Sequence, residues 1–223
     1  MLKSKVKKTM DQKIAVLGAG SWGTAMAIHL GRIGHKVHLW ARNKSLVEKL
    51  LRDRMNGAYL PKILFPPNVN PMNSLEDALS EVDCVVVAVP SHGLRSVVQQ
   101  AAEFLAPRTT IVSATKGLEP KTMLRMSEVI EQEVNPSSAI AVLSGPSFAL
   151  EVAHELPTAV LVASSRTDMR DLIQQQFRSR YFRLYGSDDV IGVEIGGALK
   201  NTIAIAAGVV RHNSLSVKVY NFF

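Results

Sequence analysis

The chain has 223 residues, 47% of them hydrophobic and 20% charged, with a formal net charge of +7. This length is enough for one well-buried domain and part of a second. The apolar runs, such as 85–89 and 203–210, are far shorter than the roughly 18 residues of a membrane span, so we expect no integral membrane association. Most basic residues are scattered and not interleaved with aromatic residues, which argues against nucleic-acid binding and favours attraction of small anionic ligands.

The single cysteine, Cys84, excludes an internal disulfide, and its apolar neighbours predict a buried strand thiol rather than a nucleophile. Residues 1–12 form a basic tail that is not followed by the apolar core of a signal peptide. We therefore expect a cytoplasmic protein. The six histidines show no mutual metal-ligand spacing, so we expect no metal.

The chain begins with a strand at 13–17, a helix at 21–32 and a second strand at 36–40, which together predict a βαβ unit. Further along, the pattern predicts helices at 45–54, 74–79, 91–105, 121–133 and 168–177, strands at 84–89, 110–114, 140–143, 158–163 and 182–185, and a Pro/Asn-rich loop at 61–73. Near-continuous Val/Ile runs are typical of parallel strands buried on both faces. The sequence therefore predicts an α/β fold with a Rossmann-type, doubly wound and mostly parallel sheet.

Residues 18–23, Gly-Ala-Gly-Ser-Trp-Gly, match the pattern G-x-G-x-x-G between the first strand and the first helix. Gly18 permits the tight turn, Gly20 lets a pyrophosphate approach the backbone, and Gly23 lets helix and strand pack closely. The helix N-terminus would bind the phosphates. The motif predicts a dinucleotide site, and the alternative is a glycine turn in an α/β protein without this ligand.

The end of the second strand carries Arg42 where dinucleotide-binding proteins selective for NAD have an acidic residue. An arginine can pair with the 2′-phosphate of NADP and stack on adenine. The sequence therefore favours NADP over NAD, and the alternative is a solvated loop arginine.

Three polar segments, 89–92, 115–118 and 144–149, follow predicted strands. Carboxyl ends of strands are where open α/β sheets bind ligands. Lys116 is placed to reach cofactor or substrate, and Ser147 and the amides near Gly145 to bind a small polyol or phosphate. Taken alone, each of these segments is more often an ordinary turn than a functional site. Their location at the same edge of the predicted sheet favours a functional site.

Lys200 lies within a largely apolar stretch that runs from 195 to 210. A charge there is costly to desolvate, which suggests a function such as proton transfer. Its predicted helix face carries small residues at positions 196, 197, 204, 207 and 208. The spacing alone fits equally a ligand trough and a close helix-helix contact with the lysine at its rim.

Segments 18–25, 113–118, 143–149, 156–159 and 191–201 together resemble bacterial NAD(P)-dependent glycerol-3-phosphate dehydrogenase. The resemblance implies reversible hydride transfer between NAD(P)H and dihydroxyacetone phosphate, giving sn-glycerol 3-phosphate for glycerophospholipid synthesis. It implies that Ser21, Trp22, Arg42, Lys116 and Ala149 contact the dinucleotide. Lys116, Gly145, Ser147 and Lys200 would bind the substrate, with Lys200 as the general acid/base.

After Asp188 the sequence predicts a long helix with no strand following it, so we place a domain boundary there. We therefore expect a dinucleotide-binding domain at 13–188 and, as the resemblance implies, the start of a helical substrate domain at 189–223 that is cut short. Family members continue as an all-helical domain that grips the substrate phosphate, whereas residues 211–223 do not resemble the family. We therefore expect weak or no activity from this chain alone, and exposed apolar residues that favour a homodimer or aggregation. The alternatives are a non-catalytic dinucleotide-binding module, an unstable fragment, or another β-hydroxyacid-type dehydrogenase.

Overall fold

The computed structural model describes residues 12–212 of the chain. In chain order the elements are β1 (Lys13–Leu17), α1 (Ser21–Arg32), β2 (Lys36–Trp40), α2 (Lys44–Asp53), β3 (Met55–Asn56), β4 (Leu60–Leu64), β5 (Val69–Met72), α3 (Leu75–Leu79), β6 (Cys84–Val87), α4 (Ser91–Ala102), β7 (Thr110–Ser113), α5 (Met126–Glu133), β8 (Ala139–Ser144), α6 (Ala149–Ala153), β9 (Thr158–Ala163), α7 (Thr167–Phe177), β10 (Phe182–Ser187) and α8 (Val190–His212).

The main sheet has eight strands in the order β10-β9-β8-β7-β6-β1-β2-β5. All neighbouring strands are parallel except β8 and β9, which are antiparallel. Strand β1 lies between β2 and β6, so the chain winds outward from it in both directions. The predicted Rossmann-type, mostly parallel sheet is confirmed.

The central strands are buried because helices cover both faces of the sheet. In β1, Ile14 and Val16 join the core on one face, while Ala15 and Leu17 join the core on the other. All four residues of β6 are buried, Cys84 among them. Burial also raises the pKa of the Cys84 thiol, and the prediction of a buried strand cysteine is confirmed.

The region 61–73, predicted to be a loop, contains most of β4 and all of β5. Strand β5 pairs with β2 at the edge of the sheet, and it contains Pro71. A proline is tolerated on an edge strand because its missing N–H is not needed there. The loop prediction was therefore wrong. Strand β4 pairs only with the two-residue β3 in a small separate hairpin.

One predicted helix begins later than expected, and one observed helix was not predicted. The helix expected at 121–133 begins only at Met126, because an isolated bridge pairs Leu118 with Arg125 and Met123 has a φ of 58°. The short helix α6 was not predicted.

Helix α8 follows β10 and bends by 48° between Val190–Lys200 and Thr202–Gly208. Within residues 12–212 no single helix is long and apolar enough to cross a membrane. These two bent segments pass that test only when they are taken together, by length and composition.

Candidate active site

The glycine turn between β1 and α1 is shaped by two close backbone contacts. Gly18 has a φ of +115°, and a Cβ there would lie 2.6 Å from the Ala88 carbonyl oxygen. A Cβ on Gly23 would overlap the carbonyl oxygen of Gly18. A Cβ on Gly20 would have no neighbour within 4 Å among residues 12–212. Packing therefore requires Gly18 and Gly23, whereas Gly20 borders open space.

Within the part of the chain that the structure describes, the N-terminus of α1 presents unpaired backbone amides at this turn. Gly20 is the N-cap and provides no side-chain cap, and its carbonyl accepts from the amide of Thr24 at 2.9 Å. The amides of Ser21, Trp22 and Gly23 precede the first intrahelical bond, so they have no partner within the helix. Together with the positive end of the helix dipole, they form a site suited to an anion.

A cleft of about 390 Å³ opens beside this turn. Its walls come from the α1 N-terminus, the ends of β6 and β7, and the segment before α6. The lining residues are Gly20, Ser21, Trp22, Ala88, Val89, Pro90, Ala114, Thr115, Lys116, Ser147, Phe148 and Ala149. The fold therefore brings six of the residues predicted from sequence into one cleft.

Arg42 lies outside this cleft, at the carboxyl end of β2, with an exposed side chain. Its backbone is held in place because Asn73 Nδ2 donates to the carbonyls of Ala41 at 2.8 Å and Arg42 at 2.9 Å. The adjacent Trp40 carbonyl accepts from the amide of Gly18 at 3.0 Å, which joins this turn to the glycine turn. Arg42 therefore stands one strand away from the cleft.

Lys116 extends from the end of β7 toward the 145–147 loop. Its Nζ donates to the Gly145 carbonyl at 3.1 Å and lies 3.4 Å from Ser147 Oγ and 5.5 Å from the centre of the Trp22 ring. Burial, and then the positive charge of Lys200, lower the pKa of Lys116 to about 8. The lysine therefore remains mostly protonated near neutral pH and can still release a proton.

Lys200 reaches the same loop from α8. Its Nζ donates to the Ser147 carbonyl at 3.0 Å and lies 4.2 Å from the centre of the Phe148 ring. Lys200 and Gly145 line a second cavity of about 520 Å³, which α8 forms with the end of β8. Gly196 and Gly197 line the same cavity, so the trough of small residues predicted beside Lys200 exists along that part of the helix.

Helix α8 runs alongside β8 in a regular sequence of contacts. Val193 packs with Val142 of β8 and Ala163 of β9. A Cβ on Gly197 would overlap Ser144 Oγ and lie 3.8 Å from Lys116 Cγ. Lys200 then contacts Ser147, just beyond the end of the strand. The missing side chain of Gly197 lets the helix approach closely enough for Lys200 to reach the loop.

Glu194 anchors the start of α8, a contact that the sequence reasoning missed. Its buried carboxylate accepts from Arg125 Nη1 at 2.8 Å, from the Ser127 amide at 2.8 Å and from Ser127 Oγ at 2.6 Å. The sequence signal for Glu194 is the same as for Lys200: a charged residue within an apolar helix. Its partners could not be identified from the sequence because they lie in a distant segment.

The loop that follows Lys116 is held by an ion-pair network. Arg95 donates from Nε and Nη2 to the two carboxylate oxygens of Glu119, both at 2.8 Å, and also pairs with Glu133 of α5. The hydrogen bonds from Arg95, followed by that from Thr122, lower the pKa of Glu119 to about 2. This network fixes the chain just beyond Lys116. Within residues 12–212, no group of three or more His, Cys, Asp or Glu side chains is placed to hold a metal.

The sequence of the sheet domain matches a known protein family. The model of the NAD-dependent glycerol-3-phosphate dehydrogenase N-terminus matches residues 13–170. The chain belongs to this family. The model of the C-terminus of the same enzyme matches residues 189–219. The prediction that the family resemblance ends near residue 210 was therefore wrong, because residues 211–219 also match.

Curated members of the family are similar over most of this chain. The glycerol-3-phosphate dehydrogenase [NAD(P)+] of Koribacter versatilis is 46% identical over 215 residues, which are 93% of this chain and 64% of the relative. The protein of the same name from Bacillus pumilus is 44% identical over 200 residues, 89% of this chain and 58% of the relative. The chain thus spans about three-fifths of the length of these family members.

Solved structures of the family have the same fold. A crystal structure of glycerol-3-phosphate dehydrogenase from Coxiella burnetii superposes with a TM-score of 0.86 and 37% identity, covering 93% of this chain and 63% of that chain. The enzyme from Saccharomyces cerevisiae superposes with a TM-score of 0.77 and 28% identity, covering 90% of this chain and 63% of that one. The shared fold therefore includes the start of the family's C-terminal region as well as the sheet.

Proposed function

We propose that the chain carries the dinucleotide-binding and proton-transfer residues of a glycerol-3-phosphate dehydrogenase. The reaction is the reversible reduction of dihydroxyacetone phosphate to sn-glycerol 3-phosphate for glycerophospholipid synthesis. The observation that carries the proposal is the convergence of Lys116 and Lys200 on Ser147, at the rim of the cleft that also contains the glycine turn. Family membership of the sheet domain supports it.

The residues at the glycine turn fit a dinucleotide. The open space at Gly20 leaves room for a pyrophosphate, and the free amides of the first turn of α1 suit its charge. Ser21, Trp22, Lys116 and Ala149 line the same cleft and would contact the rest of the cofactor. When it is bound, the reduced nicotinamide supplies the hydride for the ketone carbon.

Lys200 is proposed as the general acid. The carbonyl oxygen of the substrate gains negative charge as its carbon is reduced, and a protonated amine beside it stabilises that charge and donates the proton. Ser147 and the backbone of Gly145 would hold the substrate between the two lysines, because both lysines already contact this loop. Lys116 would add a second positive charge toward a phosphorylated substrate.

NADP is proposed as the preferred cofactor, with NAD as the alternative. Arg42 is exposed at the end of β2, and its backbone is fixed by Asn73. A guanidinium at that position can pair with a 2′-phosphate. Titration with both reduced cofactors measures this preference directly.

We propose a dinucleotide-binding domain at 13–188, followed by the start of a helical substrate domain at 189–223.

A homodimer is proposed because Ile191, Ile195 and Leu199 on α8 are exposed. Sedimentation at increasing protein concentration tests the dimer. The cytoplasm is the proposed location, and fractionation of the source cells tests it.

The proposed function is tested by cofactor titration and a turnover assay on the same protein preparation. Binding of NADPH or NADH, together with oxidation that depends on dihydroxyacetone phosphate, supports the proposal. We expect weak turnover from this chain alone, and Lys200→Met, purified identically, should retain cofactor binding and lower that turnover to background, within the about 10²–10⁴-fold that a general acid contributes. Binding without turnover in the wild type would instead identify a dinucleotide-binding module. A wild-type protein that binds neither cofactor would contradict the proposal.

A further inference from the structure

The hairpin of β3 and β4 lies directly against the glycine turn, although it is not part of the main sheet. Its residue Asn56 has an exposed fraction of 0%. An amide buried this completely is costly unless its polar atoms are paired. The partners of Asn56 therefore show what the hairpin does.

Both polar atoms of the Asn56 amide are paired, and Nδ2 donates twice. Asn56 Nδ2 donates to the Ala19 carbonyl at 2.9 Å and to Thr24 Oγ1 at 2.8 Å, and Oδ1 accepts from the Tyr59 amide at 3.2 Å. The orientation of the amide follows from these partners, since a carbonyl requires a donor and a backbone N–H requires an acceptor. One side chain thus joins the hairpin to the turn and to the first turn of α1.

The bond to Ala19 fixes a peptide plane inside the glycine motif. In a trans peptide the N–H points away from the carbonyl, so holding the Ala19 oxygen sets the direction of the Gly20 N–H. The flanking residues, Gly18 and Gly20, have unusual backbone freedom and would otherwise sample several orientations. The bond to Thr24 holds the first turn of α1 from the other side.

A second bond from the hairpin reaches the same turn. Ser21 Oγ donates to the Tyr59 carbonyl at 2.8 Å, while the Tyr59 amide is bound to Asn56. The hairpin therefore contacts the turn at Ala19, Ser21 and Thr24. These contacts surround the residues whose amides are free to bind an anion.

We propose that Asn56 is a positioning residue that holds the phosphate-binding turn in its ligand-ready conformation before the dinucleotide binds. The role rests on the proposed dinucleotide function of the cleft. Its physical basis is preorganisation, because a turn that is already ordered loses less entropy when ligand binds. Asn56 itself does not line the cleft, so it acts through the backbone of the turn.

The matched control is Asn68, which makes the same kind of contact at the other end of α1. Asn68 Nδ2 donates to the carbonyls of Gly31 at 2.8 Å and His35 at 2.5 Å. Asn56→Ala and Asn68→Ala thus each remove an amide that donates twice to α1 or its flanking turns. Only the first change affects the glycine turn.

Two measurements distinguish the variants. The first is hydrogen exchange of the Thr24 amide in the ligand-free protein, which reports the bond to Gly20. The second is the Kd for ADP-ribose, which contains the pyrophosphate. Asn56→Ala should lower the protection of Thr24 and raise the Kd, each by about tenfold. Asn68→Ala should change both by less than about twofold.

Unchanged protection of Thr24 in Asn56→Ala would overturn the proposal, and so would lost protection with an unchanged Kd. If Asn56→Ala does not fold, Thr24→Val removes one of the two acceptors and should shift both readouts in the same direction by a smaller factor. Failure of the proposed function is seen separately, as a wild-type protein that binds no dinucleotide. In that case the exchange measurement still shows whether Asn56 orders the turn.

Discussion

Lys116 and Lys200 contact different groups of the same residue: Lys116 Nζ lies 3.4 Å from the Ser147 hydroxyl, and Lys200 Nζ donates to the Ser147 carbonyl at 3.0 Å. The two positive charges are held close together because each amine has a polar partner on this loop. Their electrostatic coupling lowers the pKa of Lys116, after the larger effect of burial.

Removing the charge of Lys200 should raise the pKa of Lys116. The pKa is held at about 8 by burial first and by Lys200 second, so in Lys200→Met it should move part of the way back toward 10.5. NMR titration of the Lys116 side chain measures the change. Lys200→Arg keeps the positive charge and should leave the pKa low. Equal values in the two variants would show that burial alone sets the pKa.

Gly20 and Gly23 should respond differently to the same substitution. Gly23→Ala should destabilise the fold by about 1–3 kcal/mol, because its Cβ would overlap the Gly18 carbonyl oxygen. Gly20→Ala should fold with nearly unchanged stability, since that space is open, yet bind dinucleotide at least about tenfold more weakly. Chemical denaturation and cofactor titration separate the two effects. Tight binding by Gly20→Ala would show that the pyrophosphate does not approach there.

Arg42→Ala should weaken NADPH binding by about 10–100-fold, the effect of losing a charge-assisted contact with the 2′-phosphate. NADH binding should change by less than about threefold. Lys44→Ala, at the first residue of α2, removes a neighbouring positive charge and serves as the control. The ratio of the two dissociation constants is the measurement. An unchanged ratio in Arg42→Ala would leave the arginine as a solvated surface residue.

Arg125 has two acidic partners in different surroundings, which allows a matched comparison. The side chain of Glu194 is 4% exposed, and that of Glu128 is 35% exposed. Glu194→Gln should lower the free energy of unfolding by about 1.5–3 kcal/mol, because it removes the charge that accepts buried hydrogen bonds from both Arg125 and Ser127. Glu128→Gln should lower it by less than about 1 kcal/mol. Urea denaturation measures both, and equal losses would show that burial does not strengthen the Glu194 contact.

His29 predicts loss of stability in mild acid. Burial lowers its pKa from 6.5 to about 4, and the neutral ring donates from Nε2 to the Phe177 carbonyl at 2.7 Å, while Nδ1 pairs with the Tyr181 hydroxyl at 3.0 Å. Between these pKa values the unfolded chain binds more protons than the folded one. The contribution of His29 to the free energy of unfolding is therefore complete above pH 6.5. It is lost as the pH falls toward 4, and the loss is up to about 3 kcal/mol.

Denaturation at a series of pH values tests this expectation. His29→Gln should remove that part of the pH dependence. The exposed His154 provides the control, since His154→Gln should leave the slope intact. A slope that persists in His29→Gln would assign the acid sensitivity to other groups.

The first βαβ unit could be predicted to the residue because its signals are local. Glycines mark the turns, and the strands β1 and β2 are continuous apolar runs, so the predicted limits of β1, α1 and β2 equal the observed ones. Strand β5 was missed because Pro71 argues against a strand, and only its place at the sheet edge makes the proline acceptable. That place is a property of the whole sheet.

The positions of the candidate site residues were predictable only in part. Positions at strand ends place Lys116 and Ser147 at one edge of the sheet, as the sequence predicted. The approach of Lys200 depends on how α8 packs against β8, and the roles of Glu194 and Asn56 depend on partners distant in the chain. Sequence periodicity shows which face of a helix is apolar, but it does not show which residues pack against that face.

The number of residues between the contacts of α8 with β8 determines whether Lys200 reaches the Ser147 loop. From Val193 to Gly197 the helix advances about 6 Å, at about 1.5 Å per residue, and from Val142 to Ser144 the strand advances nearly the same distance, at about 3.3 Å per residue. Successive contacts along the helix therefore have nearly the same spacing as those along the strand. Deleting one residue between Gly197 and Lys200 would rotate the amine by about 100° around the helix axis. Lys200 would then no longer point toward the Ser147 loop, although the residue itself would still be present.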